Sequence, residues 1–217
     1  KKWTNTILDI GLILSIPILS SKLVNTMPDL FKARIAEHTL LKGDYHWFTI
    51  DLQSPNTLQF QAGQFIVLNI PGIPAKKAYS IASSPANTGQ INLLIDVGPQ
   101  GDGTLYLQSL KPGDDISFTA PAGQFILSGD PNEQKYVIVA TGSGISAVRS
   151  MTLWLLQTKQ FTGPIALHWG MRFVEDIFWE EDFRILERQF GNFHFDLVLS
   201  KAPEGWPLCT GHINDCL

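Results

Sequence analysis

The periodicity of apolar residues changes near residue 130 of this 217-residue chain, and this change limits the possible folds more than any other feature. Before that point, short segments alternate apolar and polar residues between Gly, Pro, Asn or Asp turns: ARIAEHTLL, HWFTIDL, FIVLNI, AYSIAS, INLLIDV and DISFTAP. After it, the strand patterns KYVIVA, PIALHWG and FHFDLVLS alternate with the helical patterns SAVRSMTLWLLQ and DIFWEEDFRILERQF. The first arrangement predicts an antiparallel β-barrel, here over 31–130. The second predicts a parallel sheet in an α/β domain, here over 131–217.

Residues 1–30 precede both regions, and we predict that they form an apolar helix or extension. Their apolar stretch, 7–19, is shorter than the roughly 20 apolar residues that a membrane-spanning helix needs. A helix packed on the main body is therefore favoured over membrane association, and a cytoplasmic location is expected. The absence of an initiator methionine indicates a chain cut from a longer one.

Charge and cysteine content exclude several classes of function. A formal net charge of −4 and the lack of a Lys/Arg run argue against a nucleic-acid surface. The two cysteines, Cys209 and Cys216, are too few for a disulfide framework or a four-thiolate iron–sulfur cluster. With His212 they match no zinc spacing, so no metal site is expected. Both are predicted to be reduced thiols.

The segment KAYSIASS, residues 77–84, places a cation, an aromatic ring and a hydroxyl on one extended stretch. In a strand, Lys77 and Tyr79 point to one face and Ser80 to the other, so a twist at the strand end is needed to bring them around one ligand. An aromatic face suits a flat conjugated ring, and a cation suits a diphosphate. The segment is therefore consistent with a flavin nucleotide.

The segment VATGSGISAV, residues 139–148, is an apolar run followed by a glycine-rich turn and a helical pattern. This order exposes backbone N–H groups at a helix N-terminus, where phosphate binds well. Together, the two segments suggest a flavin domain followed by a pyridine-nucleotide domain.

A barrel followed by an α/β unit with these motifs resembles the ferredoxin–NADP reductase family, from about residue 32 to the chain end. KAYSIAS matches the family's R-x-Y-S-x-x-S, with Lys77 in place of Arg. The resemblance implies that Tyr79 lies against the flavin ring, that Ser80 bonds near its reactive nitrogen, and that Lys77 meets the pyrophosphate. Tyr79 and Ser80 are thus the expected catalytic residues. The flavin-binding residues implied in this motif are Lys77, Tyr79, Ser80, Ile81 and Ser83.

The resemblance extends to two glycine-containing turns. In the family, a turn like GDGT opens a short helix, here GTLYLQSL, and holds a flavin phosphate, which implies a role for Gly103 and Thr104. TGSGISA stands where the family has T-G-T-G-I-A-P, with Ala in place of Pro. The residues implied to bind the pyridine nucleotide there are Thr141, Gly142, Gly144 and Ile145.

Two later segments also resemble the family. HWGMRFVEDIFWEEDF is similar to its G-x-R-x-x-x-D-[LI]-x-[YW]-x-E-E stretch, which implies that Arg172 reaches a nucleotide phosphate or ribose and that Asp176 caps the following helix. Ser200 and Lys201 stand where the family distinguishes the adenosine ribose from its 2′-phosphate. The family's C-G-x-P strand is not found before Leu217, so the second domain is expected to be incomplete and flavin reduction slow.

The function implied by the resemblance is electron transfer from NADH or NADPH through FAD, rather than FMN, to a one-electron acceptor protein. That acceptor would be an iron–sulfur protein, a flavodoxin or a haem protein. An alternative is a flavin-containing relay or regulatory subunit with little NAD(P)H turnover. A third interpretation is a flavin-free structural module, which the departures at Lys77 and Ala147 leave open.

Overall fold

The computed structural model describes residues 28–128, 130 and 132–217. The predicted N-terminal helix or extension therefore lies outside the described residues, apart from its last three, of which two already belong to the first strand. In the described part of the chain, no helix has the length and apolar character needed to cross a membrane.

The first region is a six-stranded antiparallel sheet in the order β4-β3-β6-β1-β2-β5. Its strands are β1 Asp29–Lys42, β2 Tyr45–Ser54, β3 Phe65–Ile70, β4 Ile73–Ser80, β5 Gln90–Asp96 and β6 Asp115–Ala122. The edge strands β4 and β5 meet just beyond β4, where Ile81 bridges Leu93 and the Ala82 N–H donates to the Asn92 carbonyl at 2.8 Å. The predicted barrel is thus confirmed, with its edges joined at this end.

Alternation along the strands explains the barrel core. In β2, every second residue is buried from Phe48 to Leu52, and in β3 from Ile66 to Ile70. Because strand side chains point alternately to the two faces, this pattern lines one interior with apolar groups. Helix α1, Asp102–Ser109, lies between β5 and β6 in sequence and joins this core through the fully buried Leu107.

The second region is a three-stranded parallel sheet in the order β7-β8-β9, as predicted. Its elements are β7 Tyr136–Thr141, α2 Ile145–Leu153, a π-helical turn Trp154–Thr158, β8 Ile165–Met171, α3 Glu180–Gln189 and β9 Phe193–Leu199. A second core forms around the fully buried Trp169, Phe183 and Phe195.

Two element boundaries differ from the sequence-based expectation. The strand predicted over AYSIAS ends at Ser80, because the next residues leave β4 to bond β5 and α2. The helix predicted from Asp176 begins only at Glu180. Phe178 is buried, and its ring lies 5.0 Å from that of Trp169. Residues 177–179 therefore pack against the second core before the helix begins.

The expectation of reduced thiols is wrong, because Cys209 and Cys216 form a disulfide. A 3₁₀ turn at Ile213–Asp215 brings the chain back, and the two Cα atoms lie 6.2 Å apart, within the usual range for such a bond. The closed loop begins beside β9, where Thr210 bridges Leu199.

Candidate functional site

The start of α1 lies directly against β4 at Gly103. A Cβ atom added there would come within 2.3 Å of the Tyr79 hydroxyl and 2.7 Å of Lys77 Cγ. Only a residue without a side chain allows this approach of helix to strand. The structure therefore brings together Lys77, Tyr79 and the first turn of α1, and these residues are called the flavin half below.

Tyr79 is half-buried and packs against the barrel core. It lies opposite Ile66 in β3, and Ser80 lies opposite Phe65. Burial raises the pKa of Tyr79, so its phenol is neutral at physiological pH. The Thr104 hydroxyl donates its hydrogen to the Gly101 carbonyl at 2.8 Å. This hydrogen is therefore already used within the first turn of α1.

Ile81 and Ser83, the last two residues predicted in this motif, are buried in the protein interior. Ile81 is fully buried in the barrel core. Ser83 is 4% exposed, and its hydroxyl accepts a hydrogen bond from the backbone N–H of Asn92 at 3.1 Å. Both side chains hold the junction between β4 and β5.

The glycine turn lies at the carboxyl end of β7. Thr141 ends the strand, Gly142 adopts φ +51°, and a 3₁₀ turn over Gly142–Gly144 leads into α2. The indole N–H of Trp169 donates to the Gly142 carbonyl at 3.1 Å and so fixes the turn from beneath. Ile145 is fully buried, so only its backbone is directed to the turn.

Gly144 differs from Gly103 because no contact within the described residues requires it. It is exposed, its φ of −58° suits any residue, and a Cβ atom there would meet none of the described atoms within 4 Å. The backbone at this glycine is therefore open to a ligand.

The remaining predicted residues lie at the same edge of the sheet. The Ser200 amide donates to the Met171 carbonyl, and the Lys201 amide donates to the Arg172 carbonyl at 2.9 Å. Arg172 and Lys201 are thus neighbours just beyond β8 and β9, and both are exposed. The Arg172 guanidinium lies 5.0 Å from the ring centroid of Phe173. The glycine turn and these residues, called the nucleotide half, occupy the carboxyl edge where open α/β sheets bind ligands.

Asp176 does not cap α3, contrary to the prediction. It ends a 3₁₀ turn, and its carboxylate lies beside Gly43 in the turn after β1. There it faces Tyr45, whose pKa is raised to about 12 by burial and by the carboxylates of Asp96, Asp176 and Asp44. A Cβ atom at Gly142 would lie 3.6 Å from the Tyr45 hydroxyl, so this neutral phenol borders the glycine turn.

Two consecutive side chains on α2 connect the halves, and the sequence analysis missed both. Arg149 Nη1 donates to the Ala82 carbonyl at 2.9 Å, and the Ser150 hydroxyl donates to the Ser83 carbonyl at 2.7 Å. In the sequence, only the charge of Arg149 could have indicated this role, because it is the one charged residue in the apolar pattern SAVRSMTLWLLQ.

The groups in the two halves fit a flavin dinucleotide and a pyridine nucleotide. The flavin half offers an ammonium from Lys77, an aromatic ring from Tyr79, and the first amides of α1, which together suit a diphosphate and a flat ring. The nucleotide half offers the open backbone of Gly144 and the cations of Arg172 and Lys201. In the described part of the chain, no group of three or more His, Cys, Asp or Glu residues is arranged to hold a metal ion.

Comparison with known proteins matches this division of the chain. The family model for an oxidoreductase FAD-binding domain matches residues 32–126, and the model for an oxidoreductase NAD-binding domain matches residues 138–217. The chain therefore carries an FAD-binding domain followed by an NAD-binding domain.

Two relatives are similar over most of the chain. Ferredoxin–NADP reductase B of Sorangium cellulosum strain So ce56 is 30% identical over 189 residues, covering 84% of this chain and 75% of that protein. The phenol hydroxylase P5 protein of Acinetobacter pittii strain PHEA-2 is 32% identical over 171 residues, covering 77% of this chain. The match spans about half of that second protein, 48% of its length.

Solved structures show the same fold. The Amycolatopsis cytochrome P450 reductase superposes with a TM-score of 0.77 at 23% identity, covering 87% of this chain and 57% of that one. The cytochrome b5 reductase domain of Ulva prolifera nitrate reductase gives a TM-score of 0.73 at 16% identity, covering 84% of this chain and 78% of that one. At these identities the likeness describes fold alone.

Proposed function

Because the chain belongs to the ferredoxin–NADP reductase family, we propose that it is an NAD(P)H-dependent flavoprotein reductase that passes electrons through FAD to a one-electron acceptor protein. The observation that carries this proposal is the meeting of Lys77, Tyr79 and Gly103 at the start of α1, joined through α2 to an open glycine turn. The proposed division is a flavin domain over 31–130 and a nucleotide domain over 131–217.

In the flavin half, the half-buried Tyr79 offers its ring to the flavin, while Lys77 and the amides of α1 bind the diphosphate. The contact of Gly103 with both side chains limits how far they can move, so the binding groups are held in place before the cofactor arrives. Ser80, the last residue of β4, holds a hydroxyl at the reactive part of the ring. The chemistry that bound FAD supplies is the conversion of two-electron reduction into one-electron steps.

In the nucleotide half, the dinucleotide phosphates approach the backbone at Gly144, and Arg172 and Lys201 contribute positive charge. Ser200 and Lys201, on adjoining positions beyond β9, meet the adenosine ribose or its 2′-phosphate. These groups bind and orient the pyridine nucleotide, and the reaction requires no acid–base pair from the protein.

The proposed acceptor is a protein with a one-electron centre. Two similar proteins favour this class: one is named phenol hydroxylase P5 protein, and the other is named ferredoxin–NADP reductase B. An iron–sulfur centre, a flavodoxin and a haem protein are the candidates to be compared by experiment, in a cytoplasmic setting.

The proposal is tested by purifying the chain with FAD and titrating it anaerobically with NADH and with NADPH. We expect about one FAD per chain and loss of the oxidised flavin spectrum with at least one of the two nucleotides. A protein that binds no flavin, or whose bound flavin neither nucleotide reduces, would overturn the proposal.

A pair of variants tests the role of Tyr79. Tyr79→Ala removes the ring and should lower flavin occupancy or shift the flavin spectrum, whereas Tyr79→Phe keeps the ring and should preserve occupancy. Equal occupancy and equal spectra in the wild type and Tyr79→Ala would show that the ring does not meet the flavin.

A further inference from the structure

Arg149 lies between two tryptophans from different regions of the molecule. Its guanidinium carbon is 5.3 Å from the ring centroid of Trp47 on β2 and 4.9 Å from that of Trp179, the residue before α3. The two indoles themselves meet edge to face at 5.1 Å. A guanidinium over an indole face is a favourable contact, and two such contacts fix its position from the barrel side and the α/β side.

The same guanidinium also bonds to the chain just beyond the flavin half. It donates to the Ala82 carbonyl, two residues beyond Ser80, and the adjacent Ser150 hydroxyl donates to the Ser83 carbonyl. Both donors lie on α2, the helix that follows the glycine turn. The chain after β4 is therefore tied to the helix that carries the nucleotide half.

The backbone of Trp179 is strained where it contributes to this arrangement. Its φ of +53° and ψ of 8° place it in the left-handed region, which is unfavourable for a non-glycine residue. A bulky residue keeps such a conformation only where its surroundings fix it. Here the ring contacts Arg149, Trp47 and Phe178.

Burial lowers the pKa of Arg149, and the Asp182 carboxylate on α3 opposes this effect. The guanidinium nevertheless remains protonated at physiological pH, since free arginine titrates so far above neutrality. Arg149 thus keeps the charge that its two aromatic contacts require.

We propose that Arg149 is a positioning residue that sets the distance between the flavin half and the nucleotide half. This inference rests on the proposed reductase function. In that reaction a hydride, which is a proton with two electrons, would pass as a unit from NAD(P)H to the flavin and leave NAD(P)⁺, so the rate depends on how closely the two rings approach. Arg149 is separate from the residues proposed to bind each cofactor. Its removal should therefore slow the transfer while leaving both affinities nearly unchanged.

The test compares Arg149→Met with Arg149→Lys and with the matched control Arg184→Met. Arg184 also lies over an aromatic ring, 4.9 Å from Phe195, and donates to the Phe195 carbonyl at 2.7 Å, but all its partners lie within the second region. For each FAD-loaded protein, stopped flow gives the limiting rate of flavin reduction, and equilibrium titrations give the dissociation constants for FAD and NAD⁺ or NADP⁺.

We expect Arg149→Met to lower the limiting rate by on the order of 10- to 100-fold, the scale on which small misplacements act. Its two dissociation constants should stay within about threefold of the wild type, while Arg149→Lys recovers part of the rate. Arg184→Met should change the rate by less than about twofold. Amide hydrogen exchange, measured without nucleotide, should speed up at 82–84 in Arg149→Met only.

Several outcomes would overturn the inference while the reductase function stands. One is an unchanged limiting rate in Arg149→Met beside a wild type that NAD(P)H reduces. Another is a loss of cofactor affinity as large as the loss of rate, which would make Arg149 part of a binding site. If Arg149→Met does not fold, Trp47→Phe, which keeps a smaller aromatic face, must show the rate effect or the inference fails. A wild type that NAD(P)H does not reduce would instead refute the proposed function.

Discussion

Both halves of the candidate site place a glycine at the start of a helix, but the protein needs only one of these glycines for its own packing. At Gly103 a Cβ atom would lie 2.3 Å from the Tyr79 hydroxyl, so the fold itself forbids a larger residue unless side chains move. At Gly144 a Cβ atom would meet nothing within 4 Å among the residues that the structure describes, and the backbone angle suits any residue.

The two halves therefore differ in whether contacts within the protein explain their glycine. The flavin half is a close contact between side chains and a helix, which the barrel holds in place. The nucleotide half is an open backbone at the carboxyl edge of the sheet, where a ligand can approach its glycine. Packing therefore accounts for Gly103, whereas Gly144 is left open to a ligand.

The largest expected effect comes from Gly103→Ala. The added methyl must displace Tyr79 and Lys77, and overpacking of this kind typically lowers the unfolding free energy by about 1–3 kcal/mol. Because both displaced side chains belong to the flavin half, the FAD dissociation constant should also rise roughly tenfold, ~1.4 kcal/mol. Chemical denaturation and flavin fluorescence measure the two effects.

Gly89→Ala is the matched control in the same region, since a Cβ atom there would lie 3.8 Å from the Asn56 carbonyl, an ordinary contact. It should change neither stability nor FAD affinity appreciably. If Gly103→Ala behaves like this control, the contact between α1 and β4 does not shape the flavin half.

Gly144→Ala should separate stability from binding. An alanine that fits the native backbone angle stabilises a protein by about 0.4–1 kcal/mol, so the variant should unfold later than the wild type. Its methyl nonetheless stands where a phosphate approaches the backbone, and losing one such hydrogen bond costs about 1.5–3 kcal/mol. Titration with NAD⁺ and NADP⁺ should therefore show a dissociation constant raised at least roughly tenfold.

Gly191→Ala provides the comparison for this variant. A Cβ atom at Gly191 also meets nothing within 4 Å in the described part of the chain, but this residue precedes β9 and so lies at the opposite edge of the sheet. It should bind nucleotide as the wild type does. Equal nucleotide affinity in Gly144→Ala and Gly191→Ala would remove the distinction between the two halves.

Much of this architecture follows from local patterns. The six barrel strands and the βαβαβ order appear in the alternation of apolar residues, which depends only on which face each side chain occupies. The site motifs could also be located, because a strand end or a glycine turn carries its chemistry within a few consecutive residues. Gly103 is far from Lys77 and Tyr79 in sequence, yet it meets both side chains in the structure.

Features created by contacts between distant elements could not be predicted this way. The start of α3 is delayed by Phe178 and Trp179, whose rings have partners on β2 and β8 that no local pattern reveals. Arg149 looked like an ordinary helix residue, since its partners lie on β2, before α3 and beyond β4. The disulfide was missed because composition reports how many cysteines exist but not where the chain brings them.

Lys77→Arg tests whether the cation of the flavin half meets a diphosphate. A guanidinium can form two parallel hydrogen bonds where an ammonium acts as a point charge, so FAD should bind more tightly by about 1 kcal/mol. The measurement is the FAD dissociation constant of the two proteins. Weaker binding by Lys77→Arg would show that this side chain does not face the diphosphate, and Lys76→Arg, on the exposed neighbouring residue, should have no effect.

The smallest expected effect concerns the other end of α1, where two histidines support the flavin half. His38 Nδ1 lies 2.8 Å from the Leu110 carbonyl, which can only accept, so this nitrogen carries the proton. His38 Nε2 lies 2.8 Å from His46 Nδ1 and, in the neutral ring, accepts from it. The His38 ring thus connects His46 on β2 to the residue after α1, and a proton added to His46 would place a charge in a partly buried position beside it.

Stability should therefore fall as the pH is lowered through the range in which histidine titrates. Burial lowers the pKa of His46, and the neighbouring His38 lowers it further, while Asp44 opposes them. Because the folded pKa lies below the unfolded value of about 6.5, the unfolded chain binds more protons below that pH, and the contribution present above it is lost. His46→Gln, which keeps a donor for His38, should lose less unfolding free energy between pH 7.5 and 5.5 than the wild type. Equal losses in the two proteins would show that His46 does not make the anchoring of α1 sensitive to pH.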